Sequence, residues 1–439
     1  MSGAAAHELE PLVEAAERLV ARSPADATLV SWVEGSRSQA LDGERGRRAD
    51  SAAEREIAIR VRVAGRTGAA RAGDTGAGGL EAALRAAMAA ARASDPSPDW
   101  DATAAAAPCA EPPGADPELA ALAPEAAHAE LARLAAPRST LQLDWLEQRV
   151  IVAASFLPTR AARTTSITFT ARTGRRPGSG FAAASARTRA GLALGELAER
   201  AVALEAGEVR EETPAAPLPI VLAPEATAVL IEAFARAAFG ARRALAGVRP
   251  PVLAEALDVG DAPLDPHGLP RAFDLDGCPC SARPLVTRGS PAGAAFDLDL
   301  AARAGTAPTG HGLAADDAWP LHPAVAAGPH DEAELRAAAA GGLRVGTLER
   351  LAIAGDEALS VSALARNLRR IEVGGALGEG LAPLVWRTSL AVLLGAVLEA
   401  GRDRIVWGVR AGLPGAVTCP ALRLAPLGGF APFRRAARG

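Results

Sequence analysis

The side chains in this 439-residue chain best suited to hydrolytic chemistry are six histidines, four cysteines and a group of aspartates. Zinc hydrolysis most simply needs two neutral imidazoles on one helix and a carboxylate that deprotonates the bound water. The histidines are His7, His128, His267, His311, His322 and His330; no pair has that spacing, so non-ligating histidines are expected. Cys278-Pro279-Cys280, with His267 nearby, is half of a structural zinc set, but a four-ligand site usually needs a second pair, so cysteines placed in a turn by chance are expected. Asp274, Asp276, Asp297 and Asp299 offer oxygens to a hard cation, yet the residues around them do not match a calcium loop. They are expected to be strand and turn carboxylates facing solvent. Gly178-Ser179-Gly180 lacks the longer pattern of a nucleophile elbow.

Composition closes other classes. The chain has no Lys, which excludes a Schiff-base lysine, a phosphate-loop lysine and a Ser-Lys dyad. Its formal charge is −4 with both signs interspersed, and the run Arg172, Arg175, Arg176 is short, so no nucleic-acid partner is expected. Cys109, Cys278, Cys280 and Cys419 are too few for a disulfide framework and fit a reducing, cytoplasmic compartment. Glu8, Glu10 and Glu14 stand where a secretory signal needs basic residues, and the apolar stretch Leu390 to Leu398 is too short for a bilayer span. No membrane partner is expected, and that stretch reads as a buried helix.

The elements that must hold these groups follow from periodicity. Leu9, Leu12, Val13, Ala16, Leu19 and Val20 recur at helical spacing, so residues 8–21 predict an amphipathic helix. Residues 27–34 predict a strand. Residues 56–63 predict a half-exposed one, with Ile57, Ile59, Val61 and Val63 on one face and Ala58, Arg60 and Arg62 on the other. Helices are predicted from Leu80 to Ala93, around Pro117 to Ala136 and over roughly Ala183 to Ala206, with strands between Thr140 and Thr170. Pro224 at a first helical turn, followed by Val229, Leu230, Ala233, Phe234 and Ala237, predicts a helix ending at Gly240, directly after a buried strand at Ile220 to Leu222. Short strands are predicted beyond it, at Leu285 to Val286, Leu343 to Ile353, Arg369 to Val373, Ile405 to Val409 and Ala421 to Leu424. The expected class is α+β: an N-terminal α/β domain with a helix-flanked sheet over 1–93, a Pro/Ala-rich linker over 94–117, a middle α+β region over 118–214 and a mainly β C-terminal domain over 215–439.

Several stretches together resemble the TldD/PmbA family, the modulators of DNA gyrase. Glu56 to Val63, followed by Gly65-Arg66-Thr67-Gly68-Ala69 and the helix from Leu80, is similar to the family's strand, glycine turn and helix. In the C-terminal half, Phe273-Asp274-Leu275-Asp276-Gly277, then Arg283 to Gly289, Phe296 and Pro308-Thr309-Gly310-His311, resembles its Asp-rich turn, hairpin and Thr-Gly segment, in order. Leu343 to Arg350 and the ending Leu413-Pro414 to Leu424 resemble its final strands.

In the zinc-bearing TldD branch, a His-Glu-x-x-x-His motif lies on the helix that here opens at Pro224. Matching by that context puts Ile231, Glu232 and Arg236 at its positions; only the glutamate is kept, and no histidine lies between His128 and His267 to restore the motif under any shift. Cys419, in Val417-Thr418-Cys419-Pro420, lacks the Cys-Gly-Lys context of that branch's further ligand and is not carried over. The resemblance therefore implies a TldE/PmbA-type chain with no catalytic residue, metal or cofactor of its own. Zinc is expected in a TldD-like partner subunit, with which the chain would shape a chamber for unfolded or leader peptides. Two rivals stay open: a peptidase with an atypical metal site, for example at Cys278, Cys280 and His311, and a stand-alone scaffold or carrier in a biosynthetic pathway.

Overall fold

The structure, a computed structural model, describes residues 3–43, 46–74, 76–174, 178–313, 318–355, 357–408 and 415–433. Arg175, Arg176, Leu413 and Pro414 lie outside them.

Helix α1 (Gly3–Arg22) buries Leu9, Ala16 and Leu19, the stripe that its spacing predicts. Strands β1 (Ala27–Gly43), β2 (Gly46–Val63) and β3 (Arg66–Ala72) follow, then α2 (Ala77–Ala93). Residues 94–117 cross the surface and include the short α3 (Ala102–Ala106); their Trp100 and Ala105 are buried. Where one helix is expected around 117–136 there are two, α4 (Pro117–Ala120) and α5 (Pro124–Leu134), because Pro124 cannot donate a helical hydrogen bond and starts a new first turn. Strands β4 (Thr140–Ala154), β5 (Leu157–Thr173) and β6 (Gly180–Ala186) precede α6 (Leu194–Ala203). The helix expected over 183–206 is thus a strand followed by a shorter helix.

These six strands form one antiparallel sheet in the order β3-β2-β1-β4-β5-β6. The join is β1 with β4, in which Leu29 faces Ala154 and Gly43 faces Thr140. The sequence-based segments 1–93 and 118–214 therefore contribute strands to a single sheet rather than to two. Alternation along β4 explains its two faces: Leu141, Leu143, Trp145, Ile151 and Ala153 join the clusters under α1, α2, α5 and α6, whereas Val150 and Val152 join a cluster with Phe273, Cys278 and Leu298. Because that second face is covered by the C-terminal half and by the 94–117 crossing, the expectation that β2 is half exposed fails. Arg60 and Arg62 are only 2% and 6% exposed.

The C-terminal half opens with β7 (Val209–Arg210), β8 (Leu218–Leu222), α7 (Pro224–Phe239) and α8 (Ala241–Leu245). Next come β9 (Val259–Asp261), β10 (Arg283–Thr287), β11 (Ser290–Pro291), α9 (Leu298–Ala304), β12 (Pro323–Val325), β13 (Leu343–Val345) and β14 (Thr347–Ile353). The rest is almost wholly strand: β15 (Ser360–Arg366), β16 (Leu368–Ile371), β17 (Leu377–Leu381), β18 (Leu384–Ser389), β19 (Val397–Ala400), β20 (Ile405–Trp407), β21 (Val417–Cys419), β22 (Leu422–Leu427) and β23 (Phe430–Pro432). They make a seven-stranded sheet ordered β19-β22-β8-β13-β16-β17-β7, a six-stranded sheet ordered β11-β10-β9-β12-β21-β20 and a four-stranded sheet ordered β14-β15-β18-β23. Helix α7 shares one core with them through Leu230, Ile231, Phe234 and Phe239, all fully buried, and each such side chain contributes roughly 1.5–3 kcal/mol of transfer free energy. The fold is α+β, with a helix-flanked sheet followed by a mainly β half.

Candidate functional site

Helix α7 is the element on which a family-type zinc site would be built. Ala223 precedes it in extended conformation, Pro224 takes the first turn, where its missing N–H costs nothing, and Gly240 follows its last residue. Ile231 points into the core and is fully buried, Glu232 is half-buried, and Arg236 is exposed with its guanidinium 5.2 Å from the centre of the Trp319 ring. An alkyl side chain and a guanidinium have no lone pair to give a cation, so these three residues do not fit zinc.

Cys419, on β21, meets the opposite end of the same helix. Its thiol donates to the Pro224 carbonyl at 3.3 Å, and burial, with the nearby Glu225 carboxylate, pushes it well above the usual thiol range. Eight residues separate Pro224 from Glu232, about 12 Å of helical rise, so Cys419 and Glu232 do not converge. Glu225 is itself buried; it accepts from the Ala183 amide at 3.2 Å and pairs with Arg200. Burial raises its carboxyl above the ordinary range, with Arg200 acting against it.

The other singled-out residues are committed elsewhere. Cys278 and Cys280 are buried with thiols pushed up by desolvation, and the Cys280 thiol donates to the Gly310 carbonyl at 3.1 Å. Both ring nitrogens of His311 are engaged, Nδ1 with Thr309 Oγ1 at 2.7 Å and Nε2 with Asp261 Oδ2 at 2.8 Å. Burial drives His322 down to about 4, which leaves a neutral ring, and its Nε2 donates to the Leu269 carbonyl at 2.9 Å. His267 is exposed, His128 lies 3.7 Å from Asp42, and His330 sits between Glu334 and Glu399. His7 belongs to α1, but its side chain falls outside the described residues. Among the described residues, no three His, Cys, Asp or Glu side chains are grouped to hold a metal ion.

The aspartates correct the sequence reading. Asp274 and Asp276 are completely buried, Asp297 is 4% exposed, and all three serve backbone amides rather than solvent. Asp274 accepts from the amides of Asp276, Cys278 and Gly312 at 2.9, 2.8 and 2.6 Å; Asp276 accepts from Leu298 at 2.8 Å; Asp297 caps α9 through the Leu300 amide at 2.6 Å. Arg60, from the N-terminal sheet, pairs with Asp276 and with Asp299 at 3.0 Å, and the Trp100 indole donates to Asp299 at 2.7 Å. Burial, then the charge of Asp276, pushes both Asp274 and Asp297 up to about 7. The cluster is a joint between the two halves of the molecule. Its sequence signal was Asp followed two residues later by an amide it can accept from, together with Asp297 just before an apolar helix start.

Two openings lie elsewhere between the two halves. A cleft of about 580 Å³ separates β6 from β20, each the terminal strand of its sheet, with Ser185 and Arg187 on one wall and Arg404 to Val406 on the other. The strands are tied at one end, where the Gly408 amide donates to Ser185 Oγ at 2.9 Å and the Phe181 and Trp407 rings lie 6.0 Å apart. A smaller cavity of about 80 Å³ lies between β4, β5 and the Leu269–Phe273 segment. Neither is visible in the sequence, because each is made by segments far apart along the chain.

Known proteins place this architecture. Residues 215–428 match the PmbA/TldA metallopeptidase C-terminal domain family. A modulator of a DNA gyrase from Thermotoga maritima superposes with a TM-score of 0.78 at 18% identity, over 94% of this chain and 98% of that one. TldE from Thermococcus kodakarensis gives 0.76 at 17% identity, over 96% and 99%. A modulator of DNA gyrase from Bacteroides thetaiotaomicron gives 0.77 at 15% identity, over 97% and 99%. No curated protein matches by sequence. Residues 215–428 are thus similar to the family's C-terminal domain, and the chain shares the fold of these solved structures over nearly its whole length.

Proposed function

We propose that this chain is the TldE-type, zinc-free subunit of a heteromeric cytoplasmic peptidase whose zinc is held by a TldD-like partner. The observation that carries this reading is the pair of residues flanking Glu232 on α7: a core isoleucine and an arginine packed on tryptophan occupy the positions where a zinc branch has imidazoles. Glu232 then has no metal-bound water to deprotonate. The chain's contribution is to binding. The cleft between the terminal strands β6 and β20 suits an extended peptide, which such edges hold through main-chain hydrogen bonds with little regard to its sequence. Unfolded segments and leader peptides are substrates of that kind. All four cysteines are free thiols, which fits a reducing compartment.

Metal analysis of the purified chain, alone and co-expressed with a partner bearing His-Glu-x-x-x-His, tests the proposal. Zinc and activity on an unstructured peptide are expected only in the complex. Stoichiometric zinc with peptidase activity in the chain alone would overturn it.

A further inference from the structure

Main-chain pairing does not read a peptide's sequence, but the side chains around the cleft between β6 and β20 can. Three arginines line it, Arg187, Arg200 and Arg404, against a single carboxylate, Glu196. Arg200 is already neutralised, because it pairs with the buried Glu225. The other two keep their charge. Arg187, directly after β6, is half-buried and donates to the Gly114 carbonyl at 2.8 Å, a neutral acceptor. Arg404, directly before β20, is exposed. Among the described residues neither makes an ion pair. They stand on opposite walls, one beside the N-terminal sheet and one beside a C-terminal sheet. The whole chain has a formal charge of −4, so this positive cleft is a local feature and not part of a general field.

We infer that the cleft selects extended peptide segments rich in aspartate and glutamate. The inference rests on the peptide-binding reading of this cleft and names the class of peptide it takes. Side chains opposite one another on neighbouring strands lie close enough for unlike charges to attract, and like charges placed there are unfavourable. A carboxylate on a bound strand gains a partner at Arg187 on one wall and at Arg404 on the other, whereas a lysine or arginine meets two positive charges that nothing offsets. Two such pairs together amount to about tenfold in affinity. Because both arginines reach solvent, the preference weakens as salt is added. The cleft lies on this chain alone, so its charge preference can be read without a zinc-bearing partner.

Fluorescence anisotropy of labelled, unstructured peptides of equal length, with serine alternating with glutamate, glutamine or lysine, tests it on the full chain. The glutamate peptide is expected to bind about tenfold more tightly than the glutamine peptide, and the lysine peptide more weakly than either. The spread should narrow as sodium chloride is added. Arg187→Gln combined with Arg404→Gln should bring the glutamate peptide to the level of the glutamine peptide. Arg404→Glu, at an exposed position, should weaken the glutamate peptide and strengthen the lysine peptide, and it keeps the test decisive if the double variant does not fold. Equal binding of the glutamate and glutamine peptides, or a preference that survives in the folded double variant, would overturn the inference and leave the cleft as a peptide site without charge selection. Binding of none of the three peptides would overturn the inference together with the peptide-binding reading.

Discussion

Replacing Arg60 by glutamine tests the joint between the two halves of the molecule. The change removes the guanidinium that faces Asp276 and Asp299 and leaves a carboxylate buried without its counter-charge. Breaking a buried pair from one side costs roughly 3–5 kcal/mol; glutamine still donates one hydrogen bond, and Asp299 is 20% exposed, so the lower end, about 3 kcal/mol, is expected. A unit of 150–250 residues loses about 2–4 °C per kcal/mol, so the melting temperature should fall by about 6–12 °C near pH 8. The deficit should depend on pH. Asp274 and Asp297 titrate at about 7 in the folded protein, above the ordinary carboxyl value, so the folded state takes up protons before the unfolded chain does. Their contribution to stability is therefore complete below about pH 4 and is lost as the pH rises through about 7. Without Arg60 the cluster binds its protons more tightly still, so acidification should shrink the difference between variant and wild type. Calorimetric melts of both proteins at about pH 8 and about pH 5.5 measure this, and comparison at equal pH cancels every other titrating group. A variant that melts with the wild type near pH 8, or shows the same deficit at both values, would refute the reasoning.

Two further outcomes follow from individual contacts. A methyl group at Gly68 would lie 2.2 Å from the Ala87 carbonyl oxygen and 2.2 Å from the Ala91 amide, so Gly68→Ala must push α2 off β3; a loss of about 1–3 kcal/mol is expected in urea unfolding, and an unchanged midpoint would show that the helix does not rest on that strand. His322, held neutral with its value near 4, takes up its proton in the unfolded chain first, so its share of stability is present above about pH 6.5 and is lost as the pH falls through about 4. His322→Gln should accordingly flatten the acid limb of a plot of urea midpoint against pH, whereas a variant whose acid limb keeps the wild-type slope would remove His322 as its cause.

Periodic segments were the legible part of this fold. The spacing of Leu9, Leu12, Ala16 and Leu19 places α1, and Pro224 with Leu230 and Phe234 places α7, because a helix buries a stripe that recurs through the sequence. What lies against the second face of a strand is not written locally. Alternating Arg60 and Arg62 with Ile57, Ile59 and Val61 is the pattern of a solvated face, and only the 97–100 segment over Arg62 and the C-terminal half against Arg60, packed there in three dimensions, make it a buried one. The alanines of β6 favour a helix by propensity, yet pairing with β5 overrides them. Gly180 shows how close the neighbours are: a methyl group there would lie 1.7 Å from the Ala201 carbonyl oxygen of α6. The candidate site divides in the same way. The absence of histidine from α7 is legible because it depends on residue identity on a clear helix, while the cleft and the cavity need partners that only folding brings together.

The order in which the sheets fill has a consequence for synthesis. Strand β8, which leads directly into α7, pairs with β13 on one side and β22 on the other, so Ile220 finds Leu343 and Leu424 as its partners. Both flanks of β8 are therefore still unmade when it leaves the ribosome, and the second arrives within the last few elements of the chain. Until then the nascent protein carries an apolar strand with open edges, the form most prone to pair with the wrong molecule. Premature termination before Leu422 would leave that edge permanently bare. Such products should be cleared or aggregate rather than persist as a shortened but otherwise native domain.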